Sequence, residues 1–137
     1  MLTQRYIDDL TYEIVGCIIE VHKYLGPGLL ESVYEKAFIR ELELKGLTYK
    51  AQLTLPIEYK GIVLSGALRI DILIENIMLM ELKAVEAILP VHEAQLLTYM
   101  KLMKIPKGIL VNFNCANIVN EGKRTFVNEW YSSLPKS

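Results

Sequence analysis

Two short runs of alternating apolar residues, at positions 69–74 and 78–83, constrain the fold of this chain more than any other feature. Apolar side chains recur at every second position, which is the periodicity of β-strands and not of helices. We expect one core-facing surface to be formed by Ile70, Ile72, Ile74, Met78, Met80 and Leu82. The opposite face of the same strands then carries the charged residues Arg69, Asp71, Glu81 and Lys83.

The register of this hairpin decides whether the charged side chains meet. A two-residue turn would mix charged residues into the apolar face. A turn of three or five residues centred near Asn76 keeps that face intact, and it pairs Asp71 with Glu81 and Arg69 with Lys83. We therefore predict an odd-length turn, with the Cβ atoms of the two acids about 4.5–5.5 Å apart.

The predicted pair of carboxylates indicates a metal site. Two carboxylates that close repel each other, and a divalent cation between them removes the repulsion. Oxygen ligands suit Mg²⁺ or Mn²⁺, and Lys83 faces the same way, so it can hold a water or a phosphate oxygen beside the metal. The alternative is a solvated strand face on which Arg69 offsets the charge of Asp71 and Lys83 that of Glu81.

The rest of the chain divides by periodicity into helices and strands. Apolar spacings of three and four residues predict three helices; Gly26-Pro27-Gly28 ends the first and Pro90 opens the third. The predicted elements are, in chain order, helices over 3–25 and 29–45, strands over 49–59, 64–74 and 78–85, a helix over 90–103 and a strand over 108–113. Residues 125–133 fit either a strand or a short helix, and the last few residues are expected to fray.

This order of elements predicts an α/β fold with a mixed central sheet. Consecutive strands between residues 49 and 85 favour three antiparallel neighbours, and the third helix is a crossover that lets a fourth strand join in parallel. The helices then flank the sheet. A chain of 137 residues with 52% hydrophobic content suits one domain over residues 1–137 with its own core.

Charge and cysteine content exclude several classes of protein. The formal net charge of −1 argues against a protein held to nucleic acid by bulk charge alone. Cys17 and Cys115 lie in apolar runs without zinc-type spacing, so we expect buried thiols in a reducing cytoplasm. The sequence shows no signal-peptide pattern and no apolar run of about 20 residues, so we expect a cytoplasmic protein with no membrane partner.

Five polar residues on the predicted helices are candidates for the same site. Glu31 and Tyr34, three residues apart, share a face at the start of the second helix. Gln95 and Tyr99, four residues apart, share a face of the third helix, and His92 lies one turn before Gln95. The alternatives are a glutamate favoured by the helix dipole, a packed tyrosine, a solvated helix face and a capping histidine.

The start of the second helix resembles a known family. The stretch Gly28-x-x-Glu31-x-x-Tyr34 resembles the GxxExxY proteins, a small bacterial and archaeal family within the PD-(D/E)XK nuclease superfamily. The resemblance extends from about residue 3 to residue 113 and covers most of the chain. It implies a restriction-endonuclease-like core of a helix, three antiparallel strands, a helix and a further strand.

Two further motifs carry the same resemblance. Asp71 followed by Glu81–Lys83 is similar to the metal motif of the superfamily. Gln95-x-x-x-Tyr99 is similar to the QxxxY motif of RecB-like nucleases. One departure is Ile70, which stands where the superfamily often has a proline.

The resemblance implies a role for each matching residue. Asp71 and Glu81 would ligate Mg²⁺ or Mn²⁺, with the Leu82 carbonyl as a third ligand. Glu31 would support the metal directly or through a water molecule. Lys83 would orient the attacking water or help to deprotonate it.

Other polar residues are candidates for contacts with the substrate. The resemblance implies that Gln95 and Tyr99 orient the lysine or contact the backbone phosphate. Three further candidates for phosphate contact are Arg69, His92 and Tyr34. A basic rim, or simply a solvated set of helix ends, would be formed by Lys36, Arg40, Lys101, Lys104 and Lys107.

The resulting hypothesis is a metal-dependent endonuclease or exonuclease that hydrolyses phosphodiester bonds of DNA or RNA. The alternative is a non-catalytic module that binds nucleic acid or protein on the same fold, because the chain is short and its net charge is −1. Processing of a non-nucleic phosphate would use the same acids. A homo-oligomer is compatible with a first helix that exposes Tyr6, Tyr12 or Ile19.

Overall fold

The alternating segments between residues 49 and 83 form the first three strands of a five-stranded sheet in the computed structural model, which describes residues 1–137. The elements in chain order are helix α1 (Gln4–Leu25), helix α2 (Glu31–Leu44), strands β1 (Tyr49–Tyr59), β2 (Ile62–Ile74) and β3 (Met78–Lys83), helix α3 (Pro90–Met103), strand β4 (Lys107–Asn112), a π-helical turn (Ile118–Gly122), strand β5 (Lys123–Val127) and helix α4 (Glu129–Ser132). The undecided tail therefore contains both a strand and a short helix.

The sheet has the predicted mixed topology. Its strand order is β1-β2-β3-β4-β5, and every neighbouring pair is antiparallel except β3 and β4. Helix α3 connects these two parallel strands as a crossover. The predicted α/β class, with a mixed sheet flanked by helices, is confirmed, and β5 adds an antiparallel strand at the far edge.

Local signals define the ends of α1 and the turn into α2. The hydroxyl of Thr3 caps α1 by accepting a hydrogen bond from the Tyr6 N–H at 3.1 Å. Gly26 follows α1 with a φ of 71°, a left-handed conformation that glycine adopts without steric cost. The loop then leads directly into α2, which begins at Glu31.

Helices cover both faces of the sheet, so the protein has two hydrophobic clusters. The larger lies between the sheet and helices α1 and α2, and its strand residues include Ile72, Ile74, Met78, Met80 and Leu82. The smaller lies under α3, and its members include Ile70, Leu73, Leu79, Leu96 and Met100. The prediction that Ile70 shares a face with Ile72 and Ile74 is therefore wrong.

The reason is an interruption in the pleat of β2. Ile70 and Leu73 both pack under α3, although side chains three residues apart point to opposite faces of a regular strand. The irregularity lies at Asp71, opposite Gln52 of β1, whose φ is 53°. Because residues 72–74 are all apolar, the sequence pattern does not reveal where the alternation shifts.

Strand β2 extends well beyond its contact with β3. Residues 72–74 pair with residues 78–80, whereas residues 62–70 pair only with β1. The resulting two-stranded arm exposes the apolar side chains of Tyr59, Ile62, Val63 and Leu64.

The two chain ends lie together. The backbone carbonyls of Pro135 and Lys136 accept hydrogen bonds from the N–H groups of Gln4 and Arg5, at 2.8 and 3.0 Å. Fraying of the last residues stays a prediction about the chain in solution. None of the helices combines the length and the apolar character needed to cross a membrane.

Candidate active site

The turn between β2 and β3 brings the two predicted acids to opposite positions. Ile74 pairs with Met78 and Ile72 with Met80, so the turn has three residues and is centred on Asn76. The predicted odd-length turn is confirmed. Continuing the same register by one position places Asp71 opposite Glu81.

Backbone pairing between β2 and β3 stops at this point, and the side chain of Asp71 provides the next hydrogen bond between the two strands. Oδ2 of Asp71 accepts a hydrogen bond from the Leu82 N–H at 2.9 Å. The next residue, Lys83, directs its carbonyl to β4, where it accepts from the Phe113 N–H at 2.9 Å. Because successive residues of a strand direct their backbone groups to opposite neighbours, the Leu82 carbonyl faces the gap beside Asp71.

Glu81 is a buried carboxyl without a positive partner. Its residue surface is 6% exposed, and the protein's two ion pairs, Arg40–Glu43 and Arg124–Glu93, lie elsewhere. Burial and, second to it, the negative charge of Asp71 raise the pKa of Glu81 to about 8, while the positive charge of Lys83 opposes the rise. The gap between β2 and β3 therefore favours a cation or a proton.

Glu31 approaches this pair from the start of α2. Although the residue is largely exposed, partial desolvation of its carboxyl, followed by the charge of Asp71, raises its pKa. Lys83 and a backbone hydrogen bond from Ala84 act in the opposite direction. Asp71 and Lys83 thus lie within electrostatic reach of both Glu31 and Glu81.

Gln95 and Tyr99 form a pair of their own on α3. Nε2 of Gln95 donates a hydrogen bond to the Tyr99 hydroxyl at 3.1 Å. Neither side chain is hydrogen-bonded to Lys83 or to the acids in this structure. Tyr99 also packs against the hydrophobic cluster under α3.

Tyr34, a candidate for phosphate contact, has structural partners instead. Tyr34 is fully buried; its hydroxyl donates to the Gly26 carbonyl at 2.6 Å and accepts from the Leu29 N–H at 3.2 Å. Its ring stacks on Phe113 with centroids 4.6 Å apart. Tyr34 therefore braces the loop before α2 and presents no surface to a phosphate.

His92 and Arg69 occupy different surroundings. Nδ1 of His92 accepts a hydrogen bond from the Leu89 N–H at 3.0 Å, so this ring caps the start of α3 as the alternative interpretation anticipated. Arg69 is exposed on β2 with no ion pair, two residues before Asp71. Of the two, only Arg69 is free of a local structural role.

The proposed basic rim is not continuous. Lys107 is 8% exposed and pairs with Met78 at the beginning of β3, whereas Glu81 lies three residues further along that strand. A separation of three residues along a strand is about 10 Å. Because Lys107 is buried at the start of β4, it fits neither a basic rim around the acids nor a solvated helix end.

Two residues beside the site were not predicted from the sequence. Asn112 is 5% exposed, lies opposite Lys83 on β4 and hydrogen-bonds the backbone of Val85. Gln52 lies opposite Asp71 and donates to both carboxylate oxygens of Glu35 on α2, at 3.0 and 2.9 Å. A polar residue that ends an apolar run could have drawn attention to Asn112, whereas the sequence carries no signal for the unusual backbone of Gln52.

The donor set suits a hard divalent cation. The structure has no group of three or more His, Cys, Asp or Glu side chains that could hold a metal ion. The side-chain ligands at this site are therefore the two acids Asp71 and Glu81. Two carboxylates and one backbone carbonyl match the preference of Mg²⁺ for oxygen and for few protein ligands, with water or phosphate completing the shell. The unpaired charge of buried Glu81 fits such an ion.

Comparison with known proteins places the chain in a family. No curated protein sequence matches it significantly. A solved structure described as "Crystal structure of SSO0001" is similar in fold, with 20% sequence identity and a TM-score of 0.52. The similarity covers 90% of this chain and 60% of the other, so the chain spans less than two thirds of that protein's length. The model of the PD-(D/E)XK nuclease superfamily matches residues 8–125, and the chain therefore belongs to this superfamily.

Proposed function

We propose that this protein is a metal-dependent nuclease that hydrolyses phosphodiester bonds, with Asp71 and Glu81 binding Mg²⁺ or Mn²⁺. One observation carries the proposal: a buried carboxyl, Glu81, faces Asp71 where β2 and β3 separate, and no positive side chain pairs with it. Membership of a nuclease superfamily supports the same activity. Membership of the GxxExxY family within it is part of this proposal.

Three groups would hold the metal. These are the carboxylates of Asp71 and Glu81 and the carbonyl of Leu82, which faces the same gap. When bound, the metal supplies a more acidic water molecule and stabilises negative charge on the phosphate. The hydrogen bond from the Leu82 N–H fixes one oxygen of Asp71 and leaves the other for the ion.

Lys83 and Glu31 would act on the attacking water. Lys83 is half-buried and its backbone is held by β4, so its ammonium group has a restricted volume beside the acids. Glu31 has a raised pKa and can accept a proton or hold a water molecule from the side of α2. Gln95 and Tyr99 would contact the phosphate backbone as a hydrogen-bonded pair on α3.

The proposed partner is nucleic acid, either DNA or RNA. Arg69 is the exposed cation nearest in sequence to the acids, and the net charge of −1 gives little general attraction. A second copy of the chain would enlarge the binding surface, and α1 leaves Tyr6, Tyr12 and Ile19 exposed for such a contact. We further propose a single domain over residues 1–137 and a cytoplasmic location.

A cleavage assay tests the proposal. Labelled single- and double-stranded DNA and RNA, linear and circular, would be incubated with the protein and Mg²⁺ or Mn²⁺. We expect cleavage of at least one substrate, abolished by EDTA and by Glu81→Gln or Asp71→Asn. The matched controls Glu58→Gln and Asp9→Asn change exposed acids away from the site and should cut normally. Cleavage that persists in Glu81→Gln would contradict the proposal.

The second function is a non-catalytic binding module. It is favoured by the exposed apolar side chains on the arm that β1 and β2 form. This function predicts binding of nucleic acid or protein without cleavage and without metal. Binding that is lost on substitution of Arg69 but unaffected by Asp71→Ala would support it over the nuclease.

A further inference from the structure

One buried amide beside the acids has an unusual set of partners. Three polar or charged residues of this chain are buried, namely Glu81, Lys107 and Asn112. Asn112 is the last residue of β4 and pairs with Lys83, the last residue of β3. A buried amide is costly unless its donors and acceptors are satisfied, so its partners indicate what it stabilises.

The side chain of Asn112 takes the place of a strand neighbour. Its Oδ1 accepts from the Val85 N–H at 3.0 Å, and its Nδ2 donates to the Val85 carbonyl at 2.9 Å. The same Oδ1 accepts from the Asn114 N–H at 3.2 Å. Val85 lies beyond the end of β3, so one carboxamide satisfies both backbone groups of a residue that has left the sheet.

This contact fixes the segment that carries the site's positive charge. The Lys83 carbonyl is held by the Phe113 N–H at 2.9 Å, and Val85 is held by Asn112. Ala84 lies between these two fixed points, and its backbone is close enough to the Glu31 carboxylate to lower the pKa of that group. The path of residues 83–85 therefore sets the direction of the Lys83 side chain and places the Ala84 backbone beside the Glu31 carboxylate.

We infer that Asn112 is a positioning residue of the nuclease site: its carboxamide holds residues 83–85 so that Lys83 and Glu31 converge on the acid pair. This inference rests on the proposed function, because the convergence of Lys83 and Glu31 serves catalysis only if the protein is a nuclease. Only a carboxamide supplies a donor and an acceptor side by side at this reach. Aspartate keeps the acceptor without the donor, and leucine keeps the size and shape with neither.

The test separates positioning from general stability. Asn112→Asp and Asn112→Leu would be compared with Asn114→Ala, because Asn114 is exposed and makes only a 3.3 Å contact with the Val85 carbonyl. We expect both Asn112 variants to lower kcat by about 100-fold at saturating metal, as a misplacement of about 1 Å does. KM and the Mg²⁺ affinity should change by less than about 3-fold, because the acid pair is untouched.

A second comparison shows whether Asn112 acts through the lysine. In a Lys83→Met background, Asn112→Asp should lower the residual kcat by less than about 3-fold, because residues that act as a unit are not additive. A full 100-fold loss in that background would overturn the inference. So would a loss of activity that matches the fraction of unfolded protein measured for the same sample.

A measurement that does not depend on nuclease activity separates failure of this inference from failure of the proposed function. We call the two hydrogen bonds between the Asn112 carboxamide and the Val85 backbone the clamp. If the wild type cleaves no substrate, amide hydrogen exchange still tests the clamp in the same variants. Asn112→Leu should speed exchange of the Val85 N–H at least about 10-fold and leave Leu110, in the middle of β4, unchanged. Unchanged exchange at Val85 would overturn the clamp itself, whatever the activity.

Discussion

Replacing Glu81 with glutamine should stabilise the metal-free protein at alkaline pH. Glu81 is buried, and burial together with Asp71 raises its pKa from 4.5 to about 8. A carboxyl whose pKa is higher in the folded than in the unfolded state stabilises the fold while it is protonated. That contribution is complete below the unfolded pKa near 4.5, and it is lost as the pH rises through 8.

The same pKa gives the size of the effect. At about 1.4 kcal/mol per pKa unit, the rise costs the wild type up to about 5 kcal/mol between pH 4 and pH 9. Glutamine has nearly the same shape and no charge to desolvate. We therefore expect Glu81→Gln to exceed the wild type by about 2–5 kcal/mol in free energy of unfolding at pH 9, and to differ by less than about 1 kcal/mol at pH 5.

Urea denaturation in EDTA at pH 5, 7 and 9, followed by circular dichroism, measures this difference. Glu58→Gln is the matched control, because Glu58 is exposed on β1 and should follow the wild type at every pH. Saturating Mg²⁺ should narrow the gap, since an ion at 100 times its Kd adds about 2.7 kcal/mol to the fold that binds it. A Glu81→Gln protein that is less stable than the wild type at pH 9 would contradict a raised pKa for Glu81.

Further predictions concern the scaffold, each measured by urea or thermal denaturation. Tyr34→Phe leaves two backbone groups of the loop before α2 without a partner, so it should lower the free energy of unfolding by about 1–3 kcal/mol. An unchanged midpoint of denaturation would show that the Tyr34 hydroxyl does not stabilise this loop. Gly108→Ala places a Cβ 2.5 Å from Sδ of Met100 and should cost about 1–3 kcal/mol, whereas Gly16→Ala, with open space around it, should gain up to about 1 kcal/mol. Gln52→Gly removes a strained φ of 53° and should raise stability by up to about 1 kcal/mol; a clear loss would show that its bonds to α2 outweigh the strain.

The hairpin register could be predicted because a slip would carry a visible penalty. Shifting the pairing by one residue would place Asp71 against Met80 and bury charge in the core. The apolar pairs of residues 72–74 with 78–80 exclude that arrangement. The order of elements was predictable for a similar reason, since the helical and strand periodicities change at clear glycine and proline positions.

Other features depend on contacts between distant parts of the chain. Ile70 is as apolar as Ile72, and only the packing of α3 shows that the two face opposite sides of the sheet. The motif draws attention to Tyr34, but it does not show that its hydroxyl turns inward to Gly26. The role of Asn112 could not be predicted from the sequence, because its partner, Val85, is 27 residues away and is bonded through its backbone.

The central claim is that Asp71 and Glu81 together bind a divalent cation where β2 and β3 separate. Titration calorimetry of Mg²⁺ and Mn²⁺ into the wild type, Glu81→Gln and the control Glu58→Gln tests it most directly. We expect saturable binding to one site in the wild type and the control, and at least about 10-fold weaker binding in Glu81→Gln. Equal affinity in all three proteins, or no binding to the wild type at millimolar metal, would contradict the claim.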